Sequence, residues 1–121
     1  MSAKKIMFVC LGNICRSPMA EFIFKSIAAK EGGGFLAASA GTSGEEEGNP
    51  VYPPAARELA KHSISCAGKR AARFTRSDYD AYDLIVCMES RHIRCLERLL
   101  GGDPRGKIRR LLDYTDNPRD I

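Results

Sequence analysis

No run of apolar side chains in this sequence exceeds six residues, Ile6 to Leu11, and histidine occurs only twice. Six residues are too few for a membrane span or for the apolar core of a secretory signal. The sequence therefore predicts a cytoplasmic protein without membrane contact. Metal-ligand spacing is also missing. Cys66, Cys87, Cys95, His62 and His92 are scattered, and Cys10 with Cys15 has no second pair beside it, so no zinc site is expected. A Walker-type nucleotide loop is absent because no Gly-Lys-Ser/Thr follows a glycine at the required distance. Internal repeats and low-complexity segments are absent too. The basic clusters Lys69-Arg70 with Arg73 and Arg76, and Arg105 with Lys107, Arg109 and Arg110, lack interleaved aromatics. They read as solvated faces, and no nucleic-acid partner is expected. Five cysteines, an odd number without a secretory signal, predict reduced thiols rather than a disulfide framework.

What remains, 121 residues with 44% hydrophobic and 28% charged side chains, suits a single soluble domain over residues 1–121 with one core. Its most informative segment is Cys10-Leu11-Gly12-Asn13-Ile14-Cys15-Arg16-Ser17-Pro18, placed between the apolar run Ile6 to Val9 and a helical stretch. A strand that ends at Cys10 and a helix that begins near Arg16 aim backbone N–H groups and a helix N-terminus at one point, which is an anion site. A cysteine set there has its thiolate stabilised by those dipoles and by Arg16, and becomes a nucleophile. Gly12 lets the backbone approach a ligand closely, and Asn13 tolerates the left-handed conformation of a tight anion-binding turn. Arg16 offers a planar fork for two phosphate oxygens. Ser17 can donate its hydroxyl hydrogen to the Cys10 sulfur, and Pro18 suits a first helical turn. Alone, Cys10 would read as a buried strand-end residue and Arg16 as a surface ion-pair partner; together, these residues at a strand-to-helix junction point to oxyanion chemistry.

Around that loop, strands and helices alternate. The pattern predicts strands over Lys5 to Val9, Phe35 to Ala40, Leu84 to Met88 and Lys107 to Leu112. Helices are predicted over Pro18 to Lys30, with an apolar face of Met19, Phe22, Ile23 and Ile27, over about Pro54 to His62, and from the N-cap Ser90 to Leu100, stopped by Gly101-Gly102. Ser77 to Tyr82 reads as a short helix, and Gly41 to Pro54 as a loop carrying Glu45, Glu46 and Glu47. Strands separated by helices imply an open parallel α/β sheet covered on both faces, with ligands bound beyond the carboxyl ends of the strands. Cys10, Ser39, Met88 and Asp113 fall at those ends.

The loop, with Cys10 and Arg16 in a Cys-x5-Arg arrangement, resembles the phosphate loop of the low-molecular-weight protein tyrosine phosphatases. Ser39-Ala40-Gly41-Thr42-Ser43-Gly44, Gly48-Asn49-Pro50 and Tyr82-Asp83-Leu84-Ile85-Val86-Cys87-Met88-Glu89 resemble later landmarks of that family in the same order. The resemblance implies a four-stranded parallel sheet of order 2-1-3-4. It implies hydrolysis of phosphotyrosine in proteins or peptides through a phosphocysteine on Cys10, without a cofactor or metal. Cys10 and Arg16 become the expected catalytic residues. Leu11, Gly12, Asn13, Ile14, Cys15, Arg16 and Ser17 become the expected holders of the substrate phosphoryl group, or of inorganic phosphate or a similar oxyanion. A reversible Cys10–Cys15 disulfide that shields the nucleophile is also implied.

Several departures bear on specificity and turnover. The family's general acid is an Asp-Pro pair followed by aromatics. Asn117-Pro118-Arg119-Asp120-Ile121 resembles the approach to it, so the acid and last helix are expected just beyond Ile121. Asp113, Asp116 and Asp120 are nearby carboxylates that read as turn residues. Glu45 stands where the family carries a ring-flanking aromatic. Relatives acting on phosphoarginine have Thr where this chain has Ile14, which favours tyrosine. Lys69 stands where relatives often have a His bracing the loop through Asn13; a solvated lysine is the other reading. Two alternatives differ in class: a thiol-dependent arsenate reductase using Cys87 and Cys95, and a phosphotyrosine-binding pseudo-phosphatase without an acid. The net charge of +4 suits anionic phosphopeptides.

Overall fold

Ile6 to Cys10 has no polar alternation, the pattern of a strand buried on both faces, and that strand organises the fold. The computed structural model describes residues 4–121. Its elements are β1 (Lys4–Cys10), α1 (Arg16–Lys30), β2 (Phe35–Gly41), α2 (Pro53–Lys61), α3 (Arg76–Ala81), β3 (Leu84–Cys87), α4 (Ser90–Leu100) and β4 (Ile108–Arg110), then a 3-10 turn at Leu111–Tyr114. All strand pairs are parallel and the order is β2-β1-β3-β4, as expected.

Side chains alternate across the sheet and fill two layers. Met7, Val9, Ala40, Ile85, Cys87 and Ile108 point to one face and pack with Phe74, Tyr79 and Leu96 of the α3–α4 side. Ile6, Phe8, Cys10, Val86 and Met88 point to the other, where Ala20 and Phe24 of α1 cover them. Phe8, Phe24 and Phe35 stack in series, with ring centroids 5.7 Å and 5.6 Å apart. Removing a large apolar side chain such as Ile85 from water is worth roughly 1.5–3 kcal/mol, so these layers supply most of the driving force.

Three expectations need correction. The face of α1 that turns inward is not Met19, Phe22, Ile23 and Ile27. Ser17, Pro18 and Glu21 are buried, whereas Ile23 is 40% and Ile27 55% exposed. The first turn of α1 is drawn into the Cys10 loop, and this rotates Ser17, Ala20, Glu21 and Phe24, a continuous helical stripe, onto the sheet. The N-cap of α4 is Glu89, not Ser90. The His92 backbone N–H donates to the Glu89 carbonyl at 3.1 Å, while His92 Nδ1 accepts the Glu89 N–H at 3.2 Å. The last strand stops at Arg110 instead of reaching Leu112, because the Asp113 carboxylate accepts both the backbone N–H and the guanidinium of Arg110 and pulls the chain into the 3-10 turn.

Register sets the functional edge. Cys10 pairs with Gly41, Val9 with Cys87, and the Met88 N–H donates to the Val9 carbonyl at 3.0 Å. The carboxyl ends of β1, β2 and β3 therefore open onto one place.

Candidate active site

Leaving β1, the backbone must turn sharply to enter α1, and its hydrogen bonds show how the turn is held. The Thr42 N–H donates to the Cys10 carbonyl at 2.9 Å, the Ser43 N–H to that of Leu11 at 3.0 Å, and the Tyr52 N–H to that of Ile14 at 2.7 Å. With its carbonyls occupied outside, the loop is free to turn N–H groups inward. Asn13 has φ +60, a left-handed conformation that asparagine tolerates. Gly41 has no alternative: a Cβ there would lie 2.6 Å from the Leu11 carbonyl oxygen. Gly12 faces Glu46, whose Cγ would be 3.1 Å from an added Cβ.

Cys10 sits at the bottom of this loop, 3% exposed. The Asn13 N–H donates to its sulfur at 3.3 Å, and Ser17 Oγ lies 3.0 Å from it. Ser17 Oγ already accepts the Asn13 side-chain amide at 2.8 Å, so its own hydrogen is available to the sulfur. Asn13 is fixed from the far side, where its Oδ1 accepts the Ala72 N–H at 2.9 Å. Asn13 and Ser17 are both essentially buried, so this chain is shielded from water. α1 starts at Arg16 with no side-chain cap at Cys15, which leaves its first-turn donors open toward an anion.

The structure thus gathers Cys10, Asn13, Ser17 and the start of α1 in one place, and puts Arg16 in unforeseen company. Its Nη1 donates to the Ile121 carbonyl at 2.8 Å and lies 3.3 Å from Glu89 Oε2. Glu89 Oε2 also takes Arg91 Nε at 2.6 Å and stands 3.4 Å from His92 Nε2. The Arg91 hydrogen bond outweighs burial and, with Arg16, holds the Glu89 carboxyl below the usual range. Burial, reinforced by Arg16, pushes the His92 imidazole down, so it is neutral near pH 7. Glu89 closes the landmark Tyr82 to Glu89, but nothing in the sequence pairs it with Arg16, and the Glu-x-x-His step at the start of α4 is the one signal for His92.

A second unforeseen cluster ties α1 to β2. Buried Glu21 accepts Ser39 Oγ and Lys25 Nζ, each at 2.6 Å. Lys69 is neither a solvated lysine nor a brace on Asn13. Its Nζ donates to the Ser39 carbonyl at 3.0 Å and lies 3.9 Å from Glu21, while the Ala72 N–H takes the place on Asn13. Burial lowers the Lys69 pKa, against the pull of Glu21.

The tail carboxylates are engaged. Asp120 accepts the Ser90 N–H at 2.8 Å, the Ser90 hydroxyl at 2.9 Å and Arg110 at 3.2 Å; Asp113 accepts Arg110. Backbone hydrogen bonds from Ser90 and Arg110, first among their causes, hold both below the ordinary carboxylate range. All five cysteines are free thiols. Cys87 is sealed in the sheet, and burial pushes its thiol up to about 12, which suits a packing residue better than a redox partner. Glu45 is exposed, in the turn beyond β2.

Residues 5–121 match the sequence profile described as low molecular weight phosphotyrosine protein phosphatase. The low molecular weight protein-tyrosine-phosphatase YfkJ of Bacillus subtilis is 42% identical over 114 residues, which cover 93% of this chain and 73% of that protein. The crystal structure of YfkJ superposes with a TM-score of 0.96, over 100% of this chain and 79% of that one. The arginine phosphatase YwlE of Bacillus subtilis, in a mutant with a phosphorylated active-site serine, is 32% identical with a TM-score of 0.85, over 95% and 74% of the two chains. Vibrio vulnificus Wzb in complex with benzylphosphonate is 28% identical with a TM-score of 0.86, over 98% and 79%.

Proposed function

This chain belongs to the low molecular weight phosphotyrosine protein phosphatase family, and from that premise we propose that it hydrolyses phosphotyrosine in proteins through a phosphocysteine on Cys10. The single observation carrying this reading is the pair of donors trained on one sulfur: the Asn13 N–H at 3.3 Å and the Ser17 hydroxyl at 3.0 Å. Donors so placed stabilise the sulfur as a thiolate when it attacks and again when it leaves.

In the first step the Cys10 thiolate attacks phosphorus in line, an S–P bond forms, and the P–O bond to the tyrosine breaks. Loop N–H groups from Leu11 to Ser17 and the Arg16 fork hold the three equatorial oxygens. In the second step water attacks phosphorus, the S–P bond breaks, and inorganic phosphate leaves with the thiolate regenerated. The phosphorylated active-site serine of the YwlE mutant supports a covalent phospho-enzyme in this fold, and benzylphosphonate bound to Wzb supports an aromatic phosphate mimic in such a site. The leaving phenol needs a proton from a general acid as the P–O bond breaks.

Phosphoarginine is the substrate class to test against phosphotyrosine, because YwlE is an arginine phosphatase. Ile14 favours tyrosine here. Phosphotyrosine, phosphoarginine and phosphoserine peptides offered side by side, with Cys10→Ser as the blank, decide the matter. Preferential turnover of phosphotyrosine is expected, and preferential turnover of phosphoarginine would overturn the assignment.

A further inference from the structure

His92 is buried, yet its Nε2 has no hydrogen-bond partner. Buried polar atoms are almost always satisfied, so an orphan calls for a physical reason. The ring's other nitrogen, Nδ1, accepts the Glu89 N–H at 3.2 Å, which leaves the proton of the neutral ring on Nε2. That N–H lies 3.4 Å from Glu89 Oε2 without the alignment of a hydrogen bond. The same oxygen holds Arg91 Nε tightly at 2.6 Å, and the Arg16 guanidinium loosely, at 3.3 Å from Nη1 and 3.4 Å from Nη2. An oxygen with two lone pairs serves one short donor and one more. Arg16 and His92 thus stand as rivals for the remaining place.

We propose that His92 is a positioning residue for oxyanion capture, whose Nε2–H takes over Glu89 Oε2 when a bound oxyanion draws the Arg16 guanidinium into the Cys10 loop. This rests on the phosphatase reading above and adds to it a device that releases Arg16. Without a replacement donor, departure of Arg16 would leave a half-buried carboxylate short of a partner; with one, the hand-over costs less and affinity rises. Charge acts in the same direction. His92 faces Glu89 and Arg91 at the start of α4, Arg16 on α1 and Asp120 from the tail. When the Arg16 charge is spent on an oxyanion, a positive neighbour of the ring is neutralised, so phosphate binding and protonation of His92 favour each other.

The molecule suits a direct test because it has only two histidines and His62 is exposed. In the [15N]histidine spectrum of the wild-type chain, titration with inorganic phosphate is expected to move the His92 Nε2 resonance toward the hydrogen-bonded range. It should also raise the ring's titration midpoint by about half a pH unit or more, leaving His62 unmoved. Glu89→Gln should abolish the response. His92→Gln, which keeps a donor near Nε2, should hold phosphate affinity within about twofold, whereas His92→Asn should weaken it about three- to tenfold. A helix-capping role alone predicts no such split. Saturable phosphate binding, followed by 31P line broadening, with His92 resonances that stay in place would overturn this inference and leave the phosphatase reading intact. No saturable binding of phosphate would overturn both.

Discussion

Asn13 carries three separate duties, and two variants separate the backbone duty from the two that its side-chain amide performs. Its left-handed φ makes the turn, its Oδ1 ties the loop to Ala72, and its side-chain amide orients Ser17. Asn13→Ala loses both hydrogen bonds and places a β-carbon in a disfavoured backbone conformation, so a loss of about 2–4 kcal/mol is expected from urea unfolding. Asn13→Gly loses the same bonds without the backbone strain and should be the more stable of the two; the reverse order would refute a strained turn at this position. Ser17→Ala removes one donor to the Cys10 sulfur. A hydrogen bond to a charged group is worth about 1.5–3 kcal/mol, so kcat on p-nitrophenyl phosphate is expected to fall about ten- to hundredfold. A kcat within twofold of the parent would show that the hydroxyl contributes nothing to turnover. The contacts among Cys10, Asn13 and Ser17 are legible in the sequence because they join residues three to seven positions apart, whereas the tie from Asn13 to Ala72 spans 59 positions and is not. Glu89 and His92 are not, because the contact that gives them meaning joins Glu89 to Arg16 across 73 positions. Only the parallel register of β1 and β3 brings the N-terminal ends of α1 and α4 together.

Elements show a similar division between local and imposed features. The order of strands and helices is readable from alternating apolar runs and glycine stops; Gly101 caps α4 at φ 79 where the sequence places the stop. The inward face of α1 is misread because the helix is apolar over much of its circumference, and the Cys10 loop, not hydrophobicity, fixes its rotation. The consequence is measurable. Phe24→Ala, which removes the ring between Phe8 and Phe35, should cost about 2–4 kcal/mol, while Ile27→Ala on the exposed side should cost under about 1 kcal/mol. Equal losses would mean that the rotation is wrong. The link from α4 to β4 has its own anchor in Asp103, whose carboxylate accepts the Tyr79 hydroxyl at 2.7 Å and the N–H groups of Lys107 and Ile108 at 2.9 Å and 3.1 Å. Burial raises its pKa, but hydrogen bonds led by Tyr79 outweigh it and hold the group below the ordinary value. A depressed folded-state value means that the stabilisation is complete above the unfolded value of about 3.9 and disappears as pH falls through the lower folded one. Asp103→Asn should therefore lose about 1–3 kcal/mol near neutrality, and its deficit against the parent should shrink in acid below about pH 4. A deficit that stays constant across that range would remove Asp103 from the account of acid unfolding.

At the scale of the whole molecule, parallel pairing places three strand ends at one edge, and two charged constellations meet there: Arg16, Glu89 and Arg91, then Ser90, Asp120, Arg110 and Asp113. Proton supply at this edge is limited by the same network that orders it. Glu89, Asp113 and Asp120 are all held below the usual carboxylate range by hydrogen bonds to arginine or to backbone N–H groups. Each is an anion at neutral pH, and an anion cannot protonate a departing phenol. The two halves of the proposed reaction should then respond differently in a chain of these 121 residues. Attack by Cys10 and capture of the phosphoryl group need only the loop, whereas expulsion of a poor leaving group needs a proton. p-Nitrophenolate leaves without protonation and phenolate does not. General acid catalysis is worth about a hundred- to ten-thousand-fold, so kcat/KM for p-nitrophenyl phosphate should exceed that for phenyl phosphate by about a hundredfold or more. Similar rates on the two esters in the 121-residue chain would show that one of these carboxylates does carry a proton in the complex. The network at the strand ends would then be a working acid rather than a scaffold for Arg16.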